Sequence, residues 1–114
     1  MPANKPLHLI LLLVLLLGQT AQAQVFRVFG AHDGHPKYFE QDGEAKGIVV
    51  DISKHCLNQM RVPHQIQLLP WKRAYTMAER SEGGIIGLSI SDERLALFDF
   101  SEPIFIEHIV LVVH

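Results

Sequence analysis

Cysteine is almost absent. Cys56 is the only one in 114 residues, so no internal disulfide can form and a small disulfide-stapled fold is excluded. Tryptophan is equally scarce, with Trp71 alone. Excess charge is small as well: with Lys5 set aside, nine Lys and Arg face twelve Asp and Glu, a net charge of −3 for residues 24–114. No basic stripe accompanies it, which excludes nucleic acid as a partner and a basic amphipathic helix lying on a membrane. Repeats and low-complexity segments are missing after the N-terminus, and the length leaves room for one domain at most. The one long apolar run, residues 7–17, is about half of the ~20 residues needed to span a bilayer.

That run belongs to an address. Residues 1–8 carry Lys5 and no acid, the apolar run follows, and Ala21-Gln22-Ala23 is a small-x-small cleavage site. This three-part pattern predicts a secretory signal peptide over residues 1–23, with the mature chain starting at Gln24 in the periplasm. Residues 24–114 then form the folded lobe, large enough for a modest core.

The spacing of apolar residues predicts alternating strands and helices. Val25-Phe26-Arg27-Val28-Phe29-Gly30 reads as a first strand. A loop rich in Gly, Asp, His and Pro follows, containing a short hairpin around Asp42-Gly43. Val49, Ile52, Cys56 and Met60 recur at helical spacing and predict a helix over 48–60, with Cys56 as a buried, inert thiol. Residues 65–69 alternate as a half-buried strand. Pro70 then opens a helix with Trp71, Ala74, Tyr75 and Ala78 on one side and Lys72, Arg73, Glu79 and Arg80 on the other. Residues 84–88 predict a third strand, residues 92–98 a short helix capped by Ser91, and residues 108–113 a last strand.

Strand, helix, strand, helix, strand predicts an α/β layer with a mostly parallel sheet and right-handed crossovers. Ligands of such sheets collect beyond the carboxyl ends of the strands. Three loops should meet there: the one after Gly30, the one at Pro70-Trp71, and residues 87–91. In the last, small polar residues and free N–H groups lead into a helix start, a setting for an anion. Arg94 adds a planar fork suited to a carboxylate. Its helical neighbours Ile90, Ser91, Leu97 and Phe98 include no acid, so the charge needs a partner from outside.

The blocks Gly47-Ile48-Val49-Val50-Asp51-Ile52, Pro70-Trp71-Lys72-Arg73-Ala74, Gly87-Leu88-Ser89-Ile90-Ser91-Asp92-Glu93-Arg94 and Phe98-Asp99-Phe100-Ser101-Glu102-Pro103 resemble the bacterial extracellular solute-binding proteins, family three. These are periplasmic receptors that feed polar amino acids to ABC importers. The resemblance implies the first lobe of a periplasmic-binding-protein-like (type II) fold, a three-layer sandwich that is incomplete here. It implies an amino acid or similar small carboxylate as ligand, with the membrane subunits of an ABC importer as partner and no cofactor. Carried over to this sequence, Arg94 holds the ligand carboxylate and Ser89 also touches it. Gly87 and Leu88 contact ligand through their backbone, Trp71 lines the pocket, and Tyr38 or Phe39 stacks on the ligand.

Two departures stand out. Glu82-Gly83-Gly84 displaces the acid usual before the third strand, and the second lobe of the family is not in this sequence. From one lobe alone, weak binding or none is expected. Alternatives are a lobe of a dehydratase-like enzyme or sensor on the same scaffold, and a fragment without function whose apolar end would be a sticky strand. The enzyme would need an acid or base opposite Arg94, and none is supplied. His32-Asp33-Gly34-His35, joined by His55 or His64, has a spacing compatible with zinc, but the loop is short and the reading is of no metal site.

Overall fold

The computed structural model describes residues 22–113. The segment expected to be a signal peptide, residues 1–23, therefore lies outside the described part apart from its last two residues. Strand β1 (Phe26–Ala31) leads through β2 (Asp33–Gly34), β3 (Tyr38–Gln41) and β4 (Glu44–Lys46) to helix α1 (Ile48–Gln59). Then come β5 (His64–Leu69), helix α2 (Trp71–Glu79), β6 (Gly84–Ile85) and the single turn α3 (Asp92–Leu95).

β1 lies at the centre of a parallel sheet in the order β5-β1-β6. Its alternation sets the layers, because neighbouring side chains on a strand point to opposite faces. Val28 packs with Val49 and Val50 of α1, Leu68 and Ile86. Phe29, fully buried, packs with Ala74 and Ala78 of α2. The two helices thus cover opposite faces of one sheet, and the expected three-layer α/β arrangement is present. β2, β3 and β4 form a separate antiparallel sheet beside it. Its Asp42-Gly43 turn has φ of 54° and 76°, the left-handed pair that a two-residue hairpin needs.

α1 has no side-chain cap at its start. Its first free N–H groups are taken by the hairpin loop instead: Ile48 N donates to Pro36 O and Val49 N to Lys37 O, at 3.2 and 3.0 Å. The close approach leaves no room at Gly47, where φ is 121° and an added Cβ would run into the Lys37 carbonyl. Gly47→Ala is expected to destabilise the chain by about 3 kcal/mol, read as a lower urea midpoint at unchanged slope. A shift worth under about 0.5 kcal/mol, the level of a neutral surface change, would contradict this packing.

Three expectations are corrected. The buried stripe of α1 is Val49, Val50 and Ser53, with Leu57 half-buried against it; Cys56 and Met60 are exposed. A serine on the inner face disguised the stripe. Its Oγ donates to Val49 O at 2.7 Å, so the hydroxyl is satisfied within the helix and tolerates burial. Exposed Cys56 should accordingly react with a thiol reagent stoichiometrically in the native chain, without denaturant; slow, denaturant-dependent labelling would contradict the orientation of α1.

Second, β6 stops at Ile85 rather than running to residue 88. Ile86 N still donates to Phe29 O, but Gly87 at φ 77° turns the chain out of the ladder. Third, residues 108–113 form no strand, and the apolar side chains there are exposed, Ile109 at 96% and Leu111 at 90%. β-prone residues form a strand only beside a partner edge, and this run pairs with none of the edges of the two described sheets. This segment touches the body through Glu107, whose carboxylate takes a 2.7 Å hydrogen bond from Lys37 and raises that lysine above its ordinary range.

Candidate functional site

Parallel strands deliver their carboxyl ends to one rim. There Trp71, Lys72, Tyr75, Thr76 and Arg94 line a shallow, open cleft of about 350 Å³. Trp71 opens α2 directly after β5, since Pro70 cannot extend the ladder and sets φ for the helix start. Tyr75 follows one turn later, its ring 6.2 Å from that of Trp71.

α3 is held against α2 through Tyr75. Phe98 meets the Tyr75 ring edge-on at 5.4 Å, and the Arg94 guanidinium lies 6.0 Å over the same ring. Residues 94 and 98 are four apart and so reach one face. The chain continues past α3 as a turn, with Leu97 N and Phe98 N both donating to Arg94 O. Phe98 in turn packs against the Phe29, Ala74 and Ala78 cluster. An unbroken path of contacts links the core of the sheet to the arginine.

Arg94 is half-buried, and its Nη1 donates to Ser89 O at 3.0 Å and to Ser89 Oγ at 2.6 Å. No carboxylate among the described residues pairs with it. With Nη1 anchored, Nη2 and Nε remain for an outside acceptor, an arrangement suited to a planar carboxylate. Ser91 caps α3 as expected, its Oγ accepting from Arg94 N at 3.4 Å. The anion setting is nevertheless not the helix start, because α3 has four residues and too few aligned peptides to build a useful dipole. The guanidinium supplies the charge.

The expected site residues divide. Trp71 and Arg94 line the cleft, and Ser89 joins them through its bonds to Arg94. Gly87 and Leu88 precede Ser89 on the same loop, and Gly87 faces Tyr38: a Cβ there would lie 2.8 Å from the ring carbon Cε1. Tyr38 thus braces that loop while also packing on the Val28 cluster. Phe39 points elsewhere, against His35 at 4.5 Å between ring centroids. Lys72, Tyr75 and Thr76 were not singled out. The signal for Tyr75 and Thr76 is their spacing of about one turn from Trp71 and Lys72 on a helix starting at the rim. Among the described residues no three metal-ligating side chains converge, and no helix is long and apolar enough to cross a membrane.

Comparison with known proteins adds to this geometry. The family model for bacterial extracellular solute-binding proteins, family 3, matches residues 27–114. Among solved structures, the arginine-, lysine-, histidine-binding protein ArtJ from the thermophilic bacterium Geobacillus stearothermophilus is 25% identical. It superposes with a TM-score of 0.66 over 72% of this chain and 36% of its own. Substrate-binding domain 2 of Lactococcus lactis GlnP, in an open conformation, is 20% identical, with a TM-score of 0.65 over 75% of this chain and 38% of that one. The arginine-bound form of domain 1 from TmArgBP, as a point mutant, is 26% identical, with a TM-score of 0.62 over 71% and 65% respectively. This chain therefore spans little more than a third of the first two. No curated protein sequence matches.

Proposed function

The chain belongs to the bacterial extracellular solute-binding proteins, family 3, and on that premise we propose that its cleft binds the carboxylate of an amino acid or similar small molecule, for delivery to an ABC importer from the periplasm. The observation that carries this reading is Arg94: a half-buried guanidinium, held through one nitrogen by Ser89, over the face of Tyr75, with no acid paired to it among the described residues. Trp71 would form the wall beside the ligand, and the backbone of Gly87 and Leu88 would meet its polar end. Tyr38 would act by holding that loop; Phe39 is a weaker candidate, being engaged with His35. The role is binding rather than catalysis. Residues 1–23 would direct export and be removed from the mature chain.

The described residues form one wall of a cleft. A pocket usually encloses about 70–90% of its ligand, so the chain as it stands should bind weakly, with Kd of about 1 mM or above. The TmArgBP neighbour, described as an arginine-bound form of domain 1, supports looking for binding by a single lobe. Because Trp71 is the only tryptophan, its fluorescence reports on the cleft without labelling. A panel of amino acids and simple carboxylates should give saturable changes, and amines lacking a carboxylate should give none. Micromolar binding would overturn the one-wall account; indifference to every carboxylate would overturn the site.

A further inference from the structure

Among the described residues, the lining of the cleft holds two cations and no acid. Lys72 and Arg94 line the same 350 Å³ space with Trp71, Tyr75 and Thr76, and neither cation is in an ion pair among the described residues. The Thr76 hydroxyl donates to Lys72 O at 2.9 Å, which leaves its oxygen as an acceptor and no hydroxyl proton to spare. The nearest acid in the lining of either cleft is Glu82, and it belongs to the neighbouring one with Arg73 and Arg80. Lys72 lines both clefts, so it stands on the ridge between them, where a flexible four-carbon stem can swing its ammonium toward a ligand.

We propose that the ligand is a dicarboxylate, with one carboxylate on the free edge of Arg94 and the second drawn to Lys72. This rests on reading the cleft as a carboxylate site. The chemistry follows from balance. A monocarboxylate would neutralise Arg94 and leave Lys72 beside an apolar stretch of ligand. A cationic amino acid would bring its side-chain cation, rather than a second carboxylate, toward Lys72, with no acid among the described lining residues to receive it. A short dicarboxylate neutralises both cations, and the aromatic faces of Trp71 and Tyr75 cover the methylenes between its ends.

The decisive comparison uses isosteres: L-glutamate against L-glutamine and glutarate against butyrate, titrated into the full chain and into Lys72→Met, with Trp71 fluorescence as readout. The dicarboxylates should bind about tenfold tighter, the scale of one charge-assisted contact. Lys72→Met should bring L-glutamate down to about the level of L-glutamine, weakening L-glutamate about tenfold more than L-glutamine. L-glutamine binding as tightly as L-glutamate, or butyrate as tightly as glutarate, would overturn the dicarboxylate assignment and leave the carboxylate site standing. So would equal weakening of both glutamate and glutamine by Lys72→Met. No response to any of the four compounds would overturn the carboxylate site itself.

Discussion

Replacing Phe29 by alanine is expected to destabilise the chain by about 3–5 kcal/mol. Phe29 is fully buried at the centre of the middle strand, and it fills the space between the sheet and α2 against Ala74 and Ala78. Those partners are small and their helix is held at the rim, so the cavity has little with which to collapse. Small domains have only about 5–15 kcal/mol in total, and this core is modest, so a large unfolded fraction at room temperature is the expected result. A urea titration followed by circular dichroism measures it. A cost below about 1 kcal/mol would mean that α2 does not rest on this ring. The same substitution should blur the cleft, because Phe98 packs on this cluster and meets Tyr75, whose ring lies under Arg94.

Arg94→Ala should do the opposite: leave the fold and remove the binding. Its side-chain hydrogen bonds go to Ser89 of its own loop, and its one contact with α2 is the exposed approach to the Tyr75 ring, so stability should change by no more than about 1 kcal/mol. Hydrogen bonds to a charged group are worth about 1.5–3 kcal/mol, so carboxylate affinity should fall by about 10- to 100-fold. From a weak starting affinity, saturation would disappear from the reachable range. Arg94→Lys should recover only part of it, since an ammonium is a point charge without the planar fork. Ser89→Ala should weaken binding less than Arg94→Ala by freeing the guanidinium to rotate. Binding that survives Arg94→Ala unchanged would place the ligand elsewhere.

Much of this was legible in the residues because local rules and tertiary packing agree. The Asp42-Gly43 turn, the helix opened by Pro70 with Ala74 and Ala78 inward, and the cap at Ser91 each follow from one local cause. The parallel sheet followed from their order. α1 was misread for a physical reason: Val49 belongs to two possible stripes, and the real one passes through Ser53, whose hydroxyl is hidden by its bond to Val49 O. Hydropathy alone favours the stripe ending in Cys56 and Met60, and packing overrides it. Residues 108–113 failed differently. Their composition suits a strand, but pairing is a property of two segments, and one sequence run cannot report whether an edge awaits it.

At the site, Arg94 and Trp71 were visible as residue types at a rim, and the motif resemblance added their roles. The bond from Arg94 to Ser89 was not visible. It depends on Gly87 turning the chain at φ 77°, which brings residue 89 back toward residue 94. Tyr38 and Phe39 were inseparable in sequence, being adjacent with opposite facing. Only the hairpin register, with Phe39 opposite Lys46 and Asp33, assigns Tyr38 to the Gly87 loop. Lys72 was read as an outward charge on α2. Exposed it is, but outward at a rim is toward the cleft.

The most direct test is a nitrogen-15 NMR titration of the full chain with L-glutamate, following the side-chain Nε–H of Arg94 and the indole Nε1–H of Trp71. Both resonances should shift together and saturate along one binding curve, with Gly87 and Leu88 backbone amides moving in parallel and α1 unmoved. Shifts confined to other parts of the chain, or none at these two side chains, would contradict a carboxylate held by Arg94 beside Trp71.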